Sequence, residues 1–209
     1  SWNTDVSTIP DDPNRPINVA FYLGTQDLLE TLGGRIVSGR DFTPEEYIRW
    51  DDYKGDEAKG VKVGSVIITQ GIADRLFPGQ NAVGKPLYVT GKEPQTIVGV
   101  IEHIARPNEF NGVKYQDYAV FMPVMTPYSV GGNYVIRVDP DRKQEVLAAV
   151  DAALDKVDPN RIMLRRQTFA DIRADFFKQD RAMAYLLIGV SIALLVITAL
   201  GIVGLASFW

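Results

Sequence analysis

Residues 182–209 read AMAYLLIGVSIALLVITALGIVGLASFW and contain no charged side chain. In a helix, about 20 consecutive apolar residues span the ~30 Å hydrocarbon core of a bilayer, and this run is longer than that. The alternative is a core helix of a soluble protein, which usually keeps a polar face. Here the polar side chains are those of Tyr185, Ser191, Thr198 and Ser207, which a membrane helix tolerates. The run therefore predicts a transmembrane helix, and its C-terminal position excludes a cleaved signal peptide.

Small residues recur along this predicted membrane helix. Gly189 and Ala193 are four residues apart, and Gly201 and Gly204 follow closer to its end. Small residues at such spacing let helices approach each other closely in lipid, although Gly and Ala are also common in membrane helices that make no such contact. We expect these four positions to pack against other membrane helices.

The ends of the chain indicate a piece of a longer protein. The sequence begins without Met, and no Lys or Arg follows the apolar run. A finished single-pass anchor usually ends in polar or basic residues at the far headgroup layer. We expect a globular domain joined to the first part of a membrane helix that continues beyond residue 209.

Residues 1–181 carry nearly all the charge and have the composition of a soluble domain. The net charge of −4 and the absence of clustered basic residues argue against a nucleic-acid surface. The chain has no Cys, which excludes a disulfide framework, thiol chemistry and a cysteine zinc site.

Apolar periodicity and turn residues predict alternating strands and helices in this part. Thr43-Pro44-Glu45-Glu46 has the form of a helix start, with Thr as N-cap and Glu three residues later. The charged stretch 51–62 reads as an exposed loop or linker. Strands are predicted at 17–22, 35–37, 65–69, 87–90, 95–104, 118–123, 134–138 and 161–166, and helices at 25–32, 70–77 and about 139–156.

The pattern predicts an α+β fold of two lobes. Residues 1–60 and 130–181 are expected to form a split βαβ lobe next to the membrane, residues 61–129 an inserted strand-rich lobe, and residues 182–209 the C-terminal transmembrane helix.

A predicted helix that begins after Thr168 connects the membrane-proximal lobe to the apolar run at residues 182–209. Asp171 completes a capping pattern with Thr168, and neither Gly nor Pro interrupts the segment as far as Arg181. We expect an unbroken helix that acts as a rigid coupling element, since a helix transmits displacement and a flexible linker absorbs it. Two Gly in place of Asp175 and Phe176 should then supply a hinge and abolish coupling.

The segment 79–86, GQNAVGKP, comes close to a phosphate-binding loop but fails at its last position. Pro86 stands where Ser or Thr binds Mg²⁺ in such a loop. The predicted order of helix, loop and strand is also the reverse of the strand–loop–helix arrangement that points N–H groups at phosphate. We interpret the segment as a tight turn.

Other catalytic candidates are equally weak. His103 is the single histidine, it falls within the apolar stretch 95–104, and it is more simply an ordinary edge or half-buried residue. Adjacent carboxylates such as Glu45-Glu46 and Asp51-Asp52 suit helix starts and solvated loops. We therefore predict that the chain is not an enzyme, and we assign no catalytic, cofactor-binding or metal-binding residue.

Several segments, taken in order, resemble the extracytoplasmic core domain of MacB-type and FtsX-like ABC transporter permeases. The resemblance extends from about residue 18 through most of the chain. It is carried by LGGRIVSGRDF at 32–42, the segment 68–79 ending in LFPG, AVGKPL at 82–87, TIVGVI at 96–101 and LGIVG at 200–204.

The resemblance implies a permease subunit that works as a homo- or heterodimer with a cytoplasmic ABC ATPase subunit or domain. It also implies a cell inner membrane location, a domain facing the periplasm or the extracellular side, a periplasmic adaptor as a further partner, and mechanotransmission of substrate movement or of a signal. The basic residues Arg173, Lys178 and Arg181 precede the apolar run, which on the positive-inside rule alone favours a cytoplasmic domain. The alternative from another class is a membrane-tethered binding or sensor domain with one anchor and no ATPase partner.

Overall fold

The β-branched segment Ser65–Thr69 forms a strand in which all five residues are buried. The structure is a computed structural model, and it describes residues 2–10, 12, 17–53, 61–89, 92–104, 117–126, 134–157, 159 and 165–208. The chain divides into two units, Ser1–Pro140 and Asp141–Trp209.

The first unit contains the strands and two short helices. The strands are β1 (Trp2–Val6), β2 (Ile17–Leu23), β3 (Ile36–Gly39), β4 (Ile48–Arg49), β5 (Ser65–Thr69), β6 (Pro86–Leu87), β7 (Gln95–Ile101), β8 (Ala119–Met122) and β9 (Val124–Met125). The helices are α1 (Leu28–Leu32) and α2 (Gln70–Leu76).

Seven of these described strands form one mixed sheet in the order β1-β2-β8-β5-β7-β3, with β6 also paired to β7. β2 and β8 are parallel, as are β5 and β7, whereas β5 and β8 are antiparallel. β4 and β9 form a separate parallel pair. The predicted α+β class is confirmed.

Both faces of the sheet are buried because its central strands alternate apolar side chains to either side. On one face, Val66 and Ile68 of β5 share a core cluster with Ile72 of α2. On the other face, Ile67 packs in a second cluster with Leu29 of α1. Because β5 is central and covered on both faces, its apolar residues Val66, Ile67 and Ile68 follow one another without alternating polar residues.

Strands from both predicted lobes share this sheet. β2 and β3 lie in residues 1–60 and β5, β7 and β8 in 61–129, yet β2 pairs with β8 and β3 with β7. The predicted lobes have boundaries near residues 60 and 130, and the division between the two units of the chain falls at Pro140 and Asp141. Strands on either side of the charged segment therefore belong to one sheet.

Several predicted elements differ in extent. The first helix begins at Leu28 instead of residue 25, because Asp27 has a left-handed backbone (φ 65°) that cannot continue a helix. The strand predicted at 95–104 ends at Ile101. The strand predicted at 87–90 is reduced to Pro86–Leu87, Tyr88 makes an isolated bridge to Ser7, and Thr90 lies outside the described residues.

The strand predicted at 134–138 is wrong. Residues 134–139 are described and form no regular element. Arg137 instead donates a 2.9 Å hydrogen bond from Nη1 to the carbonyl oxygen of Glu30, near the C-terminal end of α1. An alternating apolar pattern alone does not make a strand, because β-propensity depends strongly on packing and pairing with neighbouring strands.

The described secondary structure of the second unit is helical, and residues 159 and 165–168 are described but lie outside the helices. A 3-10 turn at Pro140–Arg142 leads into the predicted helix, here α3 (Lys143–Val157). α4 (Phe169–Phe176) and α5 (Lys178–Phe208) follow. The predicted strand at 161–166 lies largely outside the described residues, and Arg166 forms an ion pair with Asp151 of α3.

Candidate functional site

The segment from Thr168 to α5 is the predicted coupling element, and its N-terminal cap is confirmed. The Thr168 hydroxyl accepts a hydrogen bond from the Asp171 N–H at 3.1 Å, and the Thr168 N–H donates to an Asp171 carboxylate oxygen at 3.1 Å. The same hydroxyl donates to that carboxylate at 2.7 Å, and these bonds to Thr168 lower the pKa of Asp171. The sequence pattern therefore located the helix start correctly.

The prediction of one unbroken helix from Thr168 into the membrane run is wrong. Phe177 separates α4 from α5, with φ −87° and ψ 6°, outside the usual helical values. Helical hydrogen bonds flank this point, from the N–H of Phe177 to the oxygen of Arg173 and from the N–H of Arg181 to the oxygen of Phe177. The rings of Phe176 and Phe177 meet edge to face, with centroids 5.1 Å apart.

Sequence reasoning missed this interruption because Gly and Pro are its usual signals and neither is present. We call this interruption of the helix the joint at Phe177. Asp175 and Phe176 lie before it, in α4, and Arg181 lies after it, in α5. A straight rigid lever through these residues is therefore not the observed structure.

α5 has the length and composition of a membrane span. Its 31 residues correspond to about 46 Å of helix, more than the ~30 Å hydrocarbon core. Every residue of α5 from Lys178 to Phe208 is exposed, so the helix is not the buried core helix of a soluble domain. It is the one described helix long and apolar enough to cross a bilayer.

The four predicted packing positions lie on one side of α5. At roughly 100° per residue, Gly189, Ala193, Gly204 and Gly201 fall within an arc of about 120°. Among the described residues, nothing lies within 4 Å of a Cβ built at any of the three glycines. Their role in helix packing stays a prediction.

The first unit has an open groove of about 530 Å³ lined by Arg40, Glu46, Lys62 and Ser65 among others. Two Arg40 nitrogens donate to the two Glu46 oxygens at 2.7 and 3.0 Å. The Arg40 guanidinium lowers the pKa of Glu46 to about 2. Glu46 also accepts the Thr43 N–H at 2.7 Å, so its charge is used to hold a 3-10 turn at Pro44–Glu46.

Lys62 of this groove is also paired, with Glu93 at 2.6 Å. The two cations of the groove therefore contact carboxylates of the protein itself. This arrangement joins the 3-10 turn to the sheet and presents no unpaired charge from Arg40, Glu46 or Lys62 to a ligand.

The near-miss phosphate loop is a turn between α2 and β6, as predicted. Gly79 and Gly84 have positive φ values of 70° and 85°, and the Gly84 N–H donates to the oxygen of Ile97 at 2.7 Å. The Lys85 ammonium contacts the amide oxygen of Gln80 and lies 4.6 Å from the centroid of the Phe77 ring. The lysine that would bind phosphate in a true loop is thus engaged within the turn.

His103 lies two residues beyond the end of β7, and not within a strand as predicted. Its Nδ1 is 2.8 Å from an Asp117 oxygen, and both side chains are more than half exposed. Among the described residues, no group of three or more His, Asp or Glu side chains could hold a metal ion. Two further pairs of adjacent carboxylates in the sequence, Asp11-Asp12 and Asp56-Glu57, lie partly or wholly outside the described residues.

The sequence profile of the MacB-like periplasmic core domain family matches residues 4–155. Two of the solved structures that are similar to the chain, both at low sequence identity, are the following. One is the extracellular domain of the noncanonical ABC-type transporter YknZ from Gram-positive bacteria, with 13% identity, a TM-score of 0.46, and coverage of 77% of this chain and 73% of that one. The other is the periplasmic region of MacB from Actinobacillus actinomycetemcomitans, with 14% identity, a TM-score of 0.41, and coverage of 73% and 63%. No curated protein sequence matches the chain significantly.

Proposed function

Because the chain belongs to the MacB-like periplasmic core domain family, we propose that it is the extracytoplasmic part of an ABC transporter permease subunit. The observation that carries this proposal is the order of the two parts. The family match ends at residue 155, and an exposed apolar helix long enough to span a bilayer follows at Lys178–Phe208.

In this proposal a cytoplasmic ABC ATPase supplies the energy, and the domain moves a substrate or relays a signal outside the inner membrane. The permease acts as a dimer and meets a periplasmic adaptor on its outer side. We also propose that the domain itself carries out no chemistry.

Movement enters the domain through α5 and the joint at Phe177. The capped start of α4 at Thr168 and the residues Asp175, Phe176 and Arg181 determine how that movement is passed on. Because α4 and α5 are separate helices, the proposal requires a jointed connection instead of a straight lever.

Topology can be tested directly because the chain has no Cys. A Gln26→Cys variant of the intact permease, with any Cys outside these 209 residues changed to Ser, places one thiol at an exposed turn of the first unit. We expect a membrane-impermeant maleimide to label it in spheroplasts without lysis. Labelling only after lysis would place the domain in the cytoplasm and contradict the proposal.

The ATPase partnership needs a separate measurement. We expect the intact permease to co-purify with an ABC ATPase whose hydrolysis is required for substrate movement or signalling. An outward-facing domain that purifies without an ATPase would instead favour the single-anchor sensor.

A further inference from the structure

We infer that Arg137 is a positioning residue that fastens the end of the first unit, residues 134–140, to helix α1, so that the chain enters the second unit from a fixed point. This anchoring requires neither an ATPase nor a membrane. Its use in a permease, the transmission of movement between the two units, rests on the function proposed above.

The first observation is a hydrogen bond between segments that are far apart in the sequence. The Nη1 of Arg137 donates to the carbonyl oxygen of Glu30 at 2.9 Å, across 107 residues. Glu30 lies near the C-terminal end of α1, and α1 has no basic residue of its own in its last turn. A cation at this end of a helix hydrogen-bonds the last carbonyl groups and interacts favourably with their partial negative charge. Arg137 therefore supplies from a distant segment the cation that α1 lacks.

The second observation is the space that Gly33 leaves for the guanidinium. Gly33 has φ 79° and donates its N–H to the Glu30 oxygen at 3.0 Å, while the N–H of Gly34 donates to the oxygen of Leu29 at 2.8 Å. These two bonds form a Schellman motif, which leaves the second lone pair of the Glu30 oxygen for Arg137. A Cβ at Gly33 would lie 2.9 Å from Nη2 of Arg137, so the guanidinium lies directly against this glycine. The two glycines therefore end α1 and also make room for Arg137.

Helix α1 is a firm attachment point because it is packed on the sheet. Leu29 is 5% exposed and belongs to the same core cluster as Ile67 of β5. Leu28 and Leu32 are partly buried against that cluster. A residue that is bonded to the end of α1 is therefore held to the sheet.

The segment before Pro140 has few other features that would fix its position. Residues 134–139 form no regular element, and Val135 and Val138 are half-buried. Apolar contacts of this kind are non-directional, whereas a hydrogen bond requires one distance and one angle. The bond from Arg137 is therefore the contact that specifies where the segment lies on α1.

The place of Arg137 in the chain gives this anchoring its consequence. The first unit ends at Pro140, and fifteen residues, 126–140, follow the end of β9 up to that boundary. Without an anchor, a displacement of the second unit could draw out up to about 50 Å of this chain before it reached a strand. Arg137 lies three residues before the boundary, which reduces the slack to about 10 Å. The anchor thus gives the two units a short mechanical connection.

The test asks whether removal of Arg137 frees the segment while the fold stays intact. The full chain in detergent micelles carries nitroxide labels at Ile136→Cys and Arg75→Cys, and its 209 residues contain no native Cys. Arg75 is an exposed residue of α2, which packs on the sheet face opposite α1. Double electron–electron resonance gives the distribution of distances between the two labels. The matched control is Arg142→Ala, because Arg142 is also exposed and pairs locally with Glu145.

We expect a narrow distribution in the labelled chain and in its Arg142→Ala variant, and a distribution about twofold wider in Arg137→Ala, because a released segment samples more positions. Thermal unfolding followed by circular dichroism should be the same in all three. An Arg137→Ala distribution as narrow as that of the control would overturn the inference, since the apolar contacts would then hold the segment alone. A broad distribution before any substitution of Arg137 would also overturn it.

A lower unfolding midpoint in Arg137→Ala, or failure of this variant to fold, would show that Arg137 supports the fold instead of the position of the segment, and would overturn the inference as well. None of these measurements involves an ATPase or the orientation of the domain. Failure of the anchor is therefore distinguishable from failure of the proposed permease function, which the maleimide labelling and co-purification experiments test.

Discussion

At the scale of single residues, the most perturbed carboxyl group is Glu46, whose pKa is lowered to about 2 by the hydrogen bonds from Arg40. A carboxyl group with a lowered folded-state pKa stabilises the fold above its unfolded pKa of about 4.5, and this contribution is lost as the pH falls toward 2. The Glu46 side chain is 21% exposed, so solvent reduces the effect without removing it.

We expect Glu46→Gln to lower the free energy of unfolding at pH 7 by about 1–2 kcal/mol, after allowing for solvent screening. The loss should shrink as the pH is lowered from 5 toward 2, because the wild-type carboxyl group is then protonated as well. Urea unfolding of the soluble domain, in buffer without detergent and at several pH values, measures the free energy of unfolding of the wild type and the variant. The adjacent exposed Glu45→Gln is the control, and equal losses in the two variants would contradict the role of Arg40.

A second residue-scale feature is Gly39, where the close approach of two backbones leaves no room for a side chain. Gly39 has φ 77° and pairs with Gly99 across β3 and β7, and a Cβ at Gly39 would lie 2.2 Å from the Val98 carbonyl oxygen. Neither the dihedral angle nor the clash can be relieved by moving a side chain.

We expect Gly39→Ala to destabilise the domain by about 1–3 kcal/mol or to prevent its folding. Gly64→Ala is the matched control, since a Cβ at Gly64 meets no described atom within 4 Å. Thermal unfolding followed by circular dichroism compares them. A Gly39→Ala variant as stable as Gly64→Ala would show that β3 and β7 are not so closely paired.

At the scale of elements, α5 is distinct from the helices that build the core. α1 and α2 each contribute buried side chains to the sheet clusters, whereas every residue of α5 is exposed. The buried residues of both core clusters lie between Val6 and Val124. The stability of the first unit therefore does not depend on α5.

Deletion from Ala182 onward should leave a soluble and folded domain. We expect it to be monodisperse without detergent by size-exclusion chromatography and to unfold cooperatively. If the shortened chain is unfolded while the full chain is soluble without detergent, α5 is a core helix and the membrane interpretation is wrong.

The connection at Phe177 changes what a Gly pair at Asp175 and Phe176 can test. In an unbroken helix these substitutions would create the first hinge, but the structure already separates α4 from α5 one residue later. Loss of function in that variant would no longer identify a rigid lever.

At the scale of the whole molecule, the chain combines a sheet with two buried faces and a helical unit that ends in an apolar span. In the proposed permease, ATP is bound by a separate cytoplasmic partner. The turn at 79–86 has Pro86 in place of a Mg²⁺-binding hydroxyl, and its Lys85 is held by Gln80 and Phe77.

The purified chain should therefore show no saturable ATP binding at micromolar concentrations by calorimetry. We expect Lys85→Ala to leave this result unchanged, and to affect stability only slightly because Lys85 is half-buried and its side-chain contacts are confined to the neighbouring Gln80 and Phe77. Micromolar ATP binding that is abolished by Lys85→Ala would contradict this prediction.

The sequence by itself determined the local features of this protein: the apolar run of α5, the cap at Thr168 and Asp171, the strand at Ser65–Thr69 and the turn before β6. Each depends on residues close together in the chain, where composition and periodicity act directly. Only the tertiary structure decided the strand order, the single sheet shared by both predicted lobes, and the absence of a strand at the described residues 134–139. These depend on which distant backbone edges pair, such as β2 with β8 across about a hundred residues, and local sequence does not encode that choice. The interruption of the helix at Phe177 was likewise visible only in the structure, because neither Gly nor Pro is present in the sequence around it.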